Sequence, residues 1–167
     1  MNSLPNWTVQ ELYSRAQEVA QSYGETLSLE EPTESAIRVK MMPLLVKYEA
    51  HTTEFGRVVL LSMTDDEIEL ALSGFKRRDT LSKLWIGVAK FLAANKDFDR
   101  ALGAVSHIEE DYRAEAMVPL VDEAIKQGDL AQAHAVVEAM PNVYPATGHV
   151  DLVRPAQEKR LHDLEKI

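Results

Sequence analysis

Asp97-Phe98-Asp99-Arg100-Ala101-Leu102-Gly103-Ala104-Val105-Ser106-His107-Ile108 returns 32 residues later as Asp129-Leu130-Ala131-Gln132-Ala133-His134-Ala135-Val136-Val137-Glu138-Ala139-Met140. Asp97 falls on Asp129, Ala101 on Ala133 and Val105 on Val137, while Phe98 and Ile108 fall on the apolar Leu130 and Met140. Upstream at the same offset, Trp85 falls on Met117, Val88 on Leu120, Ala89 on Val121 and Leu92 on Ala124, so that 79–108 maps onto 111–140 without a gap. A period in the low thirties is the signature of stacked helical hairpins, because one hairpin cannot bury its apolar face alone. Such stacks present surfaces to partners, which directs the functional reading towards binding.

The spacing predicts a first helix over about 81–94 and 113–127 in the two units, and a second over about 98–108 and 130–140. Lys96-Asp97 and Gly128-Asp129 supply the turns and caps, and Pro141-Asn142 stops the last helix. Beyond it, Tyr112 falls on Tyr144, Ala114 on Ala146, Val118 on Val150, Leu120 on Leu152 and Ala124 on Ala156. A half-unit, damaged by Pro155, thus closes the array, followed by a polar tail over 157–167. Terminal repeats are atypical because one of their faces meets water.

Residues 1–78 read as further helices packed against the array. Thr8 with Glu11, and Thr64 with Glu67, have the spacing of capping boxes at helix starts. The first helix carries Leu12, Ala16, Val19 and Ala20 to a stop at Gly24, and 25–32 reads as an acidic, solvated connector. A second helix starts near Thr33 or Ser35 and holds Ile37, Val39, Met41, Met42, Leu44, Leu45 and Tyr48. Pro43 inside it removes a backbone donor and predicts a kink or a break. Residues 53–62 hold Phe55, Val58, Val59, Leu60 and Leu61, apolar nearly all round. That run reads as a buried central helix, with a short strand as the competing assignment. The helix Ile68 to Phe75 is expected to end at Ser73-Gly74, with Lys76-Arg77-Arg78 as cations at its C-terminus.

The formal net charge of −9 argues against nucleic acid and anionic membranes, since phosphate affinity needs clustered Lys and Arg. Cysteine is absent from the sequence, which excludes disulfides, thiol catalysis and thiolate metal sites. The segment Met1 to Asn6 has neither a basic region nor an apolar stretch, so no secretory signal is read there. No apolar run approaches the ~20 residues that span a bilayer. A cytoplasmic location is the expectation.

Trp85-x2-Val88-Ala89-x2-Leu92 followed by Ala101-x3-Val105-x2-Ile108 resembles a tetratricopeptide repeat, and Leu120, Val121, Ala124, Ala133, Val137 and Met140 repeat that pattern in the second unit. The resemblance covers residues 79–156. The run from Asp111-Tyr112-Arg113-Ala114 to Gly128-Asp129 also resembles the shortened hairpin repeats of bacterial scaffold proteins. The sequence departs from the family in its period, 32 rather than the usual ~34, and in Pro119 inside a helix. The resemblance implies an all-α fold: a right-handed α-α superhelix, a short solenoid of about two and a half hairpins in a single domain, 1–167, with the N-terminal helices packed on it. It further implies a concave groove lined by the first helix of each hairpin. Carried over residue by residue, that groove would hold Lys83, Ile86, Lys90 and Ala93 from the first unit, and Glu115, Val118, Asp122 and Ile125 from the second. The carboxylate clamp of the chaperone-tail subset needs a Lys and Asn pair, and its first position is Ile86 or Val118 here.

Catalytic motifs are missing from the sequence. His51-x-x-Glu54 and His107-x-x-Glu110 lack the Glu-x-x-His order and the extra carboxylates of di-iron bundles. No His-Glu-x-x-His, nucleophile elbow or phosphate-binding glycine loop occurs. The sequence therefore reads as a non-enzymatic module, without metal or cofactor, that holds a peptide or helix of another protein. An adaptor, an escort chaperone or an immunity-type inhibitor would fit. The alternatives are a self-associating structural or regulatory helical protein, and a helical-bundle enzyme using scattered carboxylates and histidines.

Overall fold

The computed structural model describes residues 4–141 and 153–166, and every regular element among them is a helix. The chain divides into two compact units, Met1–Leu84 and Trp85–Ile167.

In the first unit α1 (Val9–Ser22), α2 (Glu34–Lys47), a 3-10 turn (Ala50–Thr52), α3 (Glu54–Leu61) and α4 (Asp65–Leu72) succeed one another. The central element is α2, which packs on α1, α3 and α4. Its Ile37, Met41, Met42 and Leu45 are entirely buried and Val46 nearly so. At ~100° per residue these positions cover about half the helix circumference, which suits a helix surrounded on several sides. That packing overrides Pro43: α2 runs unbroken through it. A single lost backbone bond is a small loss beside so much burial.

Thr8, Thr33, Thr53 and Thr64 each cap a helix, accepting the amide of the residue three positions on. At Thr64 the full capping box forms with Glu67. At Thr8 only half of it does, because the Glu11 carboxylate takes the Thr8 hydroxyl instead. The competing strand at 53–62 gives way to α3, yet its burial is one-sided: Phe55, Val59 and Leu60 are inside and Leu61 is exposed. Gly56 lets α3 abut the 3-10 turn, since a Cβ there would sit 2.1 Å from the Ala50 carbonyl oxygen.

The acidic connector is anchored rather than simply solvated. Leu27 is buried, the Leu29 amide donates to the Tyr13 hydroxyl at 3.0 Å, and Gln17 donates to the Leu27 carbonyl. Its carboxylates, with Thr26 and Ser28, face water. The basic trio is displaced from its expected role as well. No cation lies in the last turn of α4, because Arg78 opens the next helix instead.

That helix, α5 (Arg78–Ala94), is followed by α6 (Phe98–Val105), α7 (Glu110–Lys126), α8 (Leu130–Ala139) and α9 (Val153–Glu165). The starts of α5 and α7, and of α6 and α8, are 32 residues apart. The turns repeat as well. Lys96 and Gly128 both take left-handed backbone, at φ 65° and 73°. The next amide reaches back to Leu92 O in one case and Ala124 O in the other, at 2.9 Å each. This is the Schellman stop, which closes a helix by satisfying its last carbonyls. Asp97 and Asp129 then cap α6 and α8.

The repeated apolar positions are buried in both units: Trp85 and Met117, Val88 and Leu120, Ala89 and Val121, Leu92 and Ala124, Ala101 and Ala133, Val105 and Val137, Ile108 and Met140. Pro119 leaves α7 continuous, as Pro43 does α2. Of the expected closing half-unit, Tyr144, Ala146, Val150 and Leu152 lie outside the described residues. Ala156 is exposed, unlike Ala124 with which it was paired. The expected polar tail is helix α9, which packs on α7 and α8 with Leu161 entirely buried. Pro155 does not damage it, because the first helical turn has no intrahelical use for the missing N–H.

Candidate functional site

The groove positions are scattered by burial. On α5, Lys83 and Lys90 are exposed and Ile86 is half-buried. Lys83 lies on the part of α5 that belongs to the first unit. Ala93 is not a groove residue: it is entirely buried, and its carbonyl accepts the Gln127 side-chain amide at 2.8 Å. That bond brings the C-terminal ends of α5 and α7 together, and the small Ala93 permits the approach.

On α7, Glu115, Val118 and Ile125 are half-buried and Asp122 is exposed. Their spacing places them along one stripe of the helix. The stripe is not wholly open, because Asp122 accepts a 2.6 Å hydrogen bond from Arg160 of α9. Arg160 also donates to Gln157 at 3.1 Å. Further along α9, Arg154 donates to the Met140 carbonyl at 3.1 Å and to Glu158 at 2.8 Å. Glu165 pairs with His134 of α8. One buried leucine and three polar anchors therefore seat α9 across α7 and α8.

The sequence reading passed over these α9 residues. Their signal was present: Val153, Gln157, Leu161 and Leu164 recur at intervals of three and four, as one face of a helix requires. Six charged residues among 158–166 masked it by making the stretch look like a solvated tail.

His107, set aside as a metal candidate, lies flat against Trp85, the rings 3.9 Å apart and 3° from parallel. Among the described residues no three His, Asp or Glu side chains gather as a metal cluster would require. A cleft of about 120 Å³ in the first unit is lined by Trp7, Glu34, Arg38, Val58 and Ser62. Small-molecule sites run to ~300 Å³ and more, so this cleft is too small to hold such a ligand as a binding pocket would. No described helix is long and apolar enough to cross a membrane.

One polar cluster in the first unit is tightly organised. Glu67 Oε2 accepts from Arg38 at 2.9 Å and from Ser35 at 2.7 Å, and Oε1 accepts the Thr64 amide at 3.0 Å. Burial works against ionisation of this carboxyl. The hydrogen bonds from Thr64, Ser35 and Arg38, with the Arg38 charge, outweigh it and hold Glu67 below the usual carboxylate value. Oε2 joins α2 to α4 and Oε1 closes the cap of α4 itself, so the cluster is structural.

No family model matches the chain, and neither a curated protein nor a solved structure matches it.

Proposed function

We propose that the chain is a protein-recognition module, in which the array from α5 to α8, a short right-handed superhelix of tetratricopeptide type, holds a peptide or helix of another protein. It works in a cytoplasmic setting as an adaptor, escort chaperone or immunity-type inhibitor, by binding rather than catalysis and without a cofactor. The observation that carries this reading is the 32-residue recurrence, which extends from the buried positions to the helix stops and caps. An array so regular is preformed, and a preformed surface binds with little ordering cost. Ile86 and Lys90 on α5, and Glu115, Val118, Asp122 and Ile125 on α7, combine aliphatic area with both charge signs. That mixture suits a peptide or helix whose charges set its register.

The test is capture of partners from a native lysate on the immobilised protein. Asp122 is engaged by Arg160, so Lys90→Ala with Glu115→Ala is the cleaner variant. Folding should be unchanged within ~0.5 kcal/mol, and capture should fall, most clearly at low salt. A control variant on α1, Glu18→Ala, should capture as the wild type does. Undiminished capture by the folded double variant would place the binding surface elsewhere.

A further inference from the structure

We propose that α9 is a resident occupant of the partner-binding face, and that the partner presents a helix of the same pattern which displaces it: Arg-x5-Arg-Leu-x3-Glu, as in Arg154, Arg160, Leu161 and Glu165. This deepens the recognition reading above and rests on it.

Two observations carry the inference. First, α9 contacts the face through a residue that recognition would use, since Arg160 holds Asp122. Second, α9 is lightly held. Leu161 is its single buried side chain, whereas α6 buries four and α8 buries three. Its polar contacts to Asp122 and His134 are exposed, with 39–53% of each side chain open to solvent, and such contacts add little.

The seat states what its occupant must bring. Asp122 calls for a cation, and the Met140 carbonyl for a second donor. His134 calls for a carboxylate, and the apolar floor for a leucine next to the first cation. A helix of this charge order complements the face, and the reversed order sets a carboxylate against the Met140 carbonyl and a cation against His134.

The experiment titrates a fluorescent peptide of residues 153–166 into the full-length chain and into full-length Leu161→Asp. In the wild type α9 competes within the chain, so the peptide should bind Leu161→Asp at least ~10-fold more tightly. Equal affinity, or no binding to a Leu161→Asp chain of unchanged helix content, overturns the proposal. Because Leu161→Asp can unfold the unit, the exposed Asp122→Arg provides an independent arm. An Arg160→Glu peptide should bind that chain better than the native peptide does, with the order reversed on the wild-type chain. The same order on both chains overturns the proposal. By light scattering the wild type should be a monomer. A dimer that Leu161→Asp abolishes makes a second copy's α9 the occupant and overturns displacement by a foreign helix. If the peptide fails while capture still responds to Lys90→Ala with Glu115→Ala, α9's role alone falls. If capture is insensitive as well, the recognition reading falls with it.

Discussion

Arg160 on α9 donates a 2.6 Å hydrogen bond to Asp122, 38 residues earlier on α7, although both side chains are substantially exposed. Exposed pairs contribute ~0.2–1 kcal/mol. Truncating a fully buried leucine costs ~2–5 kcal/mol. Leu161, one residue along, is therefore the dominant anchor of α9. Urea unfolding should show Leu161→Ala losing ~2–5 kcal/mol. A double-mutant cycle on Arg160 and Asp122 should return a coupling of ~0.2–1 kcal/mol that shrinks with added salt. A coupling larger than the leucine effect would reverse this order.

Trp85 and His107 form a second junction, within the first hairpin. Trp85 is buried and should lose ~3–5 kcal/mol on truncation to Ala. His107 is exposed and stacks on Trp85, and loss of that stack in His107→Ala should cost ~0.5–1.5 kcal/mol. Thermal melts of the two variants would check the order, and equal losses would mean that the imidazole carries more than ring contact.

Ala133 has no exposure, whereas Ala131, two residues before it, is open to solvent. Ala133→Leu should overpack the second hairpin and cost ~1–3 kcal/mol. Ala131→Leu should stay within ~0.5 kcal/mol of the wild type. A tolerant Ala133 would refute the register of the repeat.

Lys96 and Gly128 stand at the same place in the two hairpins with the same left-handed backbone. A side chain in that conformation is strained by ~1–2 kcal/mol and glycine is not. Lys96→Gly should therefore raise stability by ~1 kcal/mol, and Gly128→Ala should lower it by about as much. The space around a Gly128 Cβ is open, so the loss there would come from the backbone alone. Denaturation midpoints moving in the same direction would contradict the equivalence of the two turns.

Glu67 makes the first unit sensitive to acid. Its carboxyl is held below the ordinary value in the folded protein, so folding favours its ionised form. The associated stability is present above the unfolded value, ~4.3, and is lost as pH falls through the lower folded value. Glu67→Gln should cost ~1–3 kcal/mol at pH 7. It should also flatten the loss of stability below pH ~5 relative to the wild type. Parallel pH curves for the two proteins would remove Glu67 from that response.

The parts of the fold that the sequence made legible were those set by local chemistry. The threonine caps, the Schellman stops and the repeated apolar positions are each decided by residues within a turn or two of one another. Errors arose where long-range packing opposed a local signal. Pro43 weakens a helix locally, yet burial on both sides of it carries the helix through. Leu27 lies in a run dominated by carboxylates, and only the proximity of Tyr13 and Gln17 makes that run an anchored segment. Glu115, Val118, Asp122 and Ile125 share a stripe of α7, as their spacing on any helix requires. Ala93 was misplaced, because its burial depends on Gln127, 34 residues later.

The sequence by itself determined the helical class, the 32-residue period and the turn chemistry, because periodicity and capping act over a few residues whatever surrounds them. Tertiary structure decided that the charged stretch after 152, whose apolar spacing allows a helix, is stabilised as α9 and lies on Asp122. A helix of thirteen residues with so much charge is marginal in isolation. It forms where α7 and α8 bury Leu161 and hold Arg154, Arg160 and Glu165, and none of those partners is near it in the chain.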